Sequence, residues 1–190
     1  MLEGQIVTED ILEEPSYTEK DGRKFFVSDD RFQKIAVIER HKGTGKNSVG
    51  IVSGFGLRGG AIASSVSHDS HNIIVIGDND HDMYLAVQEL IRTQGGYTLV
   101  KNGQVFDTLP LSIMGLMSDL GYEKVNEILG RMIPEAHRMG IPDGFDPFIT
   151  LSFMAKRNLS GKRGQAFKKS LRKINNIQKG RVNFTLPFLT

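Results

Sequence analysis

Residues 59 to 79 read GGAIASSVSHDSHNIIVIGDN. Two short apolar segments rich in Ala, Ile and Val bracket a polar knot of His68, Asp69, Ser70, His71 and Asn72. Short length and β-branched content predict strands over Ala61 to Ser67 and Asn72 to Ile76, with the knot as the loop between them. Two imidazoles, a carboxylate, a hydroxyl and an amide in so short a run exceed what a turn needs. Such a loop binds, orients or caps something, and its polar load predicts exposure at a sheet end.

Upstream, KIAVIER (Lys34 to Arg40) alternates β-branched with other residues and predicts a strand, then a Gly-rich turn and a second strand at Val49 to Ser53. Alternation at the end of the first strand sends Glu39 and His41 to one side and Arg40 to the other. A carboxylate beside a histidine raises its pKa and orients it for proton transfer, although ordinary surface pairs have the same pattern. Downstream, Asp78-Asn79-Asp80 starts a helix whose one face carries Met83, Ala86, Val87, Leu90 and Ile91, and Gly95-Gly96 closes it. Asn102-Gly103 between two β runs signals a hairpin. A second helix is expected from about Tyr122 to Met139, with a stripe of Val125, Ile128, Leu129, Met132 and Ile133. Pro134 is expected to kink or divide it. The order of elements implies an α+β fold: a mixed, largely antiparallel sheet covered by helices.

The division expected along the chain is an acidic lead-in at 1–33 with a short strand at Lys24 to Val27, a domain at 34–155, and a basic tail at 156–190. Ten Lys and Arg and no Asp or Glu fall in that tail, leaving 14 basic against 22 acidic residues before it. Phe167, Leu171, Ile174 and Ile177 among the charges give the tail an amphipathic helical pattern suited to phosphate backbones or acidic surfaces. A solvated tail attracted to the acidic body has the same composition, and proteolysis is expected to remove it. At 39% apolar, the 190 residues can bury an ordinary core. The absence of cysteine excludes disulfides and thiolate metal sites. No apolar run approaches the roughly 20 residues of a membrane span, and no basic-apolar leader is present, so a cytoplasmic protein is expected.

Two glycine patterns fail on context. Gly54-Phe-Gly56-Leu-Arg-Gly59 has dinucleotide-loop spacing, but the alternating AIASSVS after it cannot open a helix. Gly43-Thr-Gly45-Lys46 lacks the first glycine and final hydroxyl of a phosphate loop. His68, Asp69 and His71 are suitable metal ligands by type, but their spacing in a loop defines no geometry, so no metal is assigned to them. His81 and His137 fall on helix surfaces and read as solvated.

The quoted stretch, together with VIERHKGTG (Val37 to Gly45), LPLSIMGLMSD (Leu109 to Asp119) and DPFITLSFMA (Asp146 to Ala155), resembles the C-terminal domain of amidohydrolase-related adenine deaminases. The resemblance covers roughly residues 30 to 155 and implies a role in hydrolysing adenine to hypoxanthine and ammonia. In that family, metal-activated hydroxide and a proton-shuttling carboxylate belong to an N-terminal barrel, where manganese or iron is expected. The barrel's His-x-His has no counterpart among His41, His68, His71, His81 and His137. The chain is therefore expected to be inactive alone, to carry no cofactor itself, and to have as partner an amidohydrolase-like barrel, as domain or subunit. Whether it is a fragment, a shifted reading frame or a separate subunit stays open, as does homo-oligomerisation. His68 to Asn72, with Glu39, Arg40 and His41, are the candidate pocket or domain-contact residues. The alternatives are a stand-alone purine-binding module and a nucleic-acid-associated protein acting through its tail.

Overall fold

A computed structural model describes residues 15–20, 23–29 and 31–155. The tail at 156–190 and most of the lead-in lie outside the described residues, so the tail's expected helical pattern and proteolysis are not addressed by it. Within the lead-in, β1 (Tyr17–Lys20) and β2 (Arg23–Phe26) form a two-stranded antiparallel sheet.

The domain is built on a six-stranded sheet of β3 (Phe32–Ile38), β4 (Asn47–Ser53), β5 (Gly60–Ser64), β6 (Ile73–Gly77), β7 (Gly96–Lys101) and β8 (Gln104–Pro110), in the order β4-β3-β6-β5-β7-β8. Every neighbouring pair is antiparallel. The expected α+β fold is present.

Helices cover both faces, which explains why the two central strands are apolar throughout. Every residue of β5 and β6 is buried. On one face α1 (Asp80–Arg92) packs Met83, Ala86, Val87 and Leu90 on Ala61, Ala63, Ile73 and Val75. On the other, α2 (Tyr122–Arg138) and α3 (Pro147–Met154) pack Ile128, Met132, Phe148 and Leu151 against Ile62, Ile74, Ile76 and Leu99. Alternation thus assigns odd and even residues of each strand to separate cores.

Local chemistry sets the element ends. The Asn79 side chain caps α1 by accepting a hydrogen bond of 2.8 Å from the Asp82 amide. Asp146 caps α3, accepting from the Phe148 and Ile149 amides at 2.8 and 2.9 Å, and Pro147 supplies the pre-set first turn. The Asn102-Gly103 turn has φ of 50° and 78°, the positive pair that a two-residue hairpin with right-handed twist requires.

Two expectations fail locally, and of the two outcomes expected at Pro134 one, division of the helix, does not occur. Pro134 does not divide α2, which runs unbroken from Tyr122 to Arg138. The carbonyl that loses its donor is that of Gly130, and both residues lie on the exposed side, where water can serve it. Ile91, expected in the α1 core stripe, is exposed, because at 100° per residue it falls at the edge of the face formed by Met83, Ala86, Val87 and Leu90. β3 ends at Ile38 and not at Arg40, for a reason set by Glu39.

Candidate functional site

The strand register brings four connections to one end of the sheet. Ile38 at the end of β3 pairs with Ile73 at the start of β6. Ser64 at the end of β5 pairs with Tyr97, and Gly96 pairs with Pro110 at the end of β8. The loops at 39–46, 65–72 and 111–120 therefore share that end with the turn before Gly96. The glycine-rich run at 54–59 lies at the other.

Past the end of β3 the Glu39 amide still donates to the Lys46 carbonyl at 2.9 Å, while its side chain organises the loop. One carboxylate oxygen accepts from the amides of His41 and Lys42 at 2.6 and 2.7 Å, and the other from the amide and hydroxyl of Thr44 at 3.0 and 2.8 Å. Bonds to the Thr44 amide and hydroxyl, then to the Lys42 amide, hold its pKa down at about 2, against an ordinary 4.5. The carboxylate thus serves backbone donors and is not turned to the His41 imidazole, whose Nε2 instead lies 2.8 Å from the Ser70 carbonyl oxygen. Because the folded pKa is depressed, this cap contributes fully above about pH 4.5 and is lost as pH falls towards 2. The expected result is a Glu39 carboxyl titration, followed by NMR, with its midpoint near 2. A midpoint at the ordinary glutamate value would show that the carboxylate does not hold the loop.

Arg40 is the clamp between loops. Its Nε donates to the His71 carbonyl at 2.6 Å and its Nη2 to the Met114 carbonyl at 2.8 Å. Burial lowers its pKa, and no acidic group is among the causes of the shift. A side chain on Gly115 would enter the guanidinium, since an added Cβ would stand 2.7 Å from Nη1, and φ there is +73°.

Within the central loop, Asp69 and Ser70 are exposed, whereas His68, His71 and Asn72 are half-buried. The predicted exposure at a sheet end thus holds for the loop tip and only in part for the imidazoles. His68 stacks on Phe153 of α3 with ring centroids 4.7 Å apart, meets His71 edge-on at 5.6 Å, and donates its amide to the Ser152 carbonyl at 2.8 Å. His71 has φ +49°. Among the described residues, three buried side-chain atoms have no hydrogen-bond partner, and all fall here: Ser67 Oγ, His71 Nδ1 and Asn72 Oδ1. All three lie in the loop at 65–72 that Arg40 clamps.

The remaining histidines separate. His81 is exposed beside Asp82, as expected of a solvated group. His137, expected on a solvated face, is mostly covered, and its Nδ1 lies 3.0 Å from the Ile141 carbonyl oxygen, which tethers the turn after α2.

Sequence reasoning did not name Ser67 or Phe153 as site residues, and it used the loop after β8, within LPLSIMGLMSD, only for the family resemblance. That loop is a tight turn, with bonds of 3.0 and 3.1 Å exchanged between Ile113 and Met117 and the Gly115 carbonyl accepting from Ser65 Oγ at 2.6 Å. It leaves Ile113, Met114 and Met117 exposed at 43%, 75% and 55%. The available signal was the run of Ile and Met broken by a lone glycine, which reads as core until the turn is known.

This geometry defines an α+β domain that gathers a histidine loop, an arginine clamp and an exposed apolar turn at one end of its sheet. The chain belongs to the family described as the adenine deaminase C-terminal domain, whose profile matches residues 5–163. It is 51% identical over 155 residues to an adenine deaminase of Desulfitobacterium hafniense (strain Y51), covering 82% of this chain and 26% of that protein. It is 49% identical over 122 residues to an adenine deaminase of Bacillus subtilis (strain 168), covering 64% and 21%. With adenine deaminase 2 of Carboxydothermus hydrogenoformans (strain ATCC BAA-161 / DSM 6008 / Z-2901) it shares 44% identity over 157 residues, 82% of this chain and 27% of that protein. The chain spans about a quarter of the length of these curated relatives.

Proposed function

We propose that the chain acts as the C-terminal portion of an adenine deaminase, in the hydrolysis of adenine to hypoxanthine and ammonia. The observation that carries this reading is the match of residues 5–163 to that domain, together with about half identity to proteins named adenine deaminase. The role proposed for His68 to Asn72, Arg40 and His41 is contact with the catalytic barrel or its pocket, with Glu39 holding the loop that carries the last two.

We keep the manganese or iron expected in the family on its barrel. His68 is stacked on Phe153, the Glu39 oxygens are taken by four donors, and among the described residues no three His, Cys, Asp or Glu side chains are placed to hold an ion. The contribution proposed for this chain is positional. Among the described residues no helix is long and apolar enough to cross a membrane.

The test is ammonia release from adenine with manganese present. The chain alone is expected to give no more than the metal-only blank. A chimera in which it replaces the matching segment of the Desulfitobacterium hafniense enzyme is expected to turn over, and the same enzyme without that segment to lose most of its activity. Turnover by the chain alone, or an inactive but folded chimera, would overturn the reading.

A further inference from the structure

Large exposed apolar side chains cluster in three places among the described residues: Tyr17, Phe25 and Val27 on the first hairpin, Val105 and Phe106 on the β8 edge, and Ile113, Met114 and Met117 on the turn after β8. The last adjoins other unfinished chemistry among the described residues. Its backbone is fixed by the Ile113–Met117 pairing and by Ser65, so the apolar side chains are held out by a rigid turn. Beside it Arg40 spends two of its nitrogens on carbonyls and meets no carboxylate among the described residues. A guanidinium carries five N–H donors in a fixed fork suited to a carboxylate. The buried, unpartnered atoms of Ser67, His71 and Asn72 lie in the loop that the same arginine clamps. Met and Arg are enriched in interface centres, where apolar anchors surround a desolvated polar contact. The occupant is indicated by proportion: about three quarters of each curated relative lies outside the segment matched here.

Resting on the proposed function, we infer that the turn bearing Ile113, Met114 and Met117 is the docking surface for the deaminase's catalytic domain, and that a carboxylate of that domain pairs with Arg40. The apolar turn excludes water around the contact, which strengthens the charged pair, and Nη1 with the second hydrogen of Nη2 remain to donate to the carboxylate. At the β8 edge the neighbouring cations Lys101 and Arg131 are already paired with Glu135 and Asp107, and neither that edge nor the first hairpin is assigned to this partner.

Methionine footprinting tests the surface directly. Hydrogen peroxide converts accessible methionine to the sulfoxide, read by mass spectrometry, and the fully buried Met83 and Met132 serve as internal references. In the isolated chain Met114 and Met117 are expected to oxidise fast. In the chimera both are expected to be protected by roughly tenfold, the scale of a change in exposure worth 1.4 kcal/mol. Met114→Asp, and separately Arg40→Lys, should return Met117 towards its rate in the isolated chain, whereas Phe106→Asp should not. An active chimera whose Met114 and Met117 oxidise as in the isolated chain overturns the inference and leaves the proposed function standing. An inactive chimera with both methionines protected does the reverse. Protection that grows with concentration in the isolated chain would show that a second copy covers the turn, and would also overturn it. Unchanged protection in Arg40→Lys overturns the carboxylate pairing.

Discussion

Phe148→Ala is expected to destabilise the domain by about 3–5 kcal/mol, the range for deleting a fully buried aromatic ring. The ring is 1% exposed, stacks on Tyr97 with centroids 4.9 Å apart and planes 12° from parallel, and sits in the core under α2. Its helix has only eight residues, too few to be stable by propensity alone, so α3 exists because Phe148 and Leu151 are buried. The loss is a large share of the 5–15 kcal/mol typical of a domain. It should also free His68, whose stacking partner and amide acceptor are both on α3. Urea denaturation measures the first effect, and the His68 proton shifts the second. A loss under about 1 kcal/mol would place α3 outside the cooperative core.

Two glycine substitutions are expected to act in opposite directions. An alanine Cβ at Gly60 would stand 2.0 Å from the Val100 carbonyl oxygen and 2.6 Å from Met139 Cε. Neither the β7 backbone nor the core can yield that distance cheaply, so β5 and β7 must separate where Gly60 pairs with Lys101. A cost of about 1–3 kcal/mol or more follows from overpacking of this kind. At Gly130, in the exposed middle of α2, an added Cβ meets nothing within 4 Å. Gly130→Ala should stabilise by roughly 0.4–1 kcal/mol through the unfolded chain and helix propensity. Paired denaturation curves check both, and equal shifts of the same sign would show that local packing does not set them.

The sequence disclosed most where one signal acted alone. Short segments rich in Ala, Ile and Val marked β5 and β6, although the first was expected to reach Ser67 and ends at Ser64, the Asn-Gly pair marked the β7–β8 turn, and the acidic and amide caps marked α1. It misled where a side chain served the backbone. Alternation carried β3 through Arg40, yet the Glu39 carboxylate gathers four donors of the following turn and ends the strand, which no periodicity shows. His137 reads as solvated on a helical wheel, but the chain after α2 folds back and covers it. The site loop was legible from its polar load alone. Its partners were not, because Phe153 and Met114 reach it only through the closed sheet, at separations no local pattern encodes.

The Arg40 clamp also sets an order of events in time. Its two acceptors follow it by 31 and 74 residues in the chain. Contacts of such separation form only after the intervening loops have closed, and chains rich in them fold slowly. During synthesis the arginine emerges early and must wait for the turn after β8 before its second bond exists. The end of the sheet that carries the histidines is therefore completed late, and a chain halted before Met114 would contain all the strands from β3 to β8 without the clamp that joins their loops.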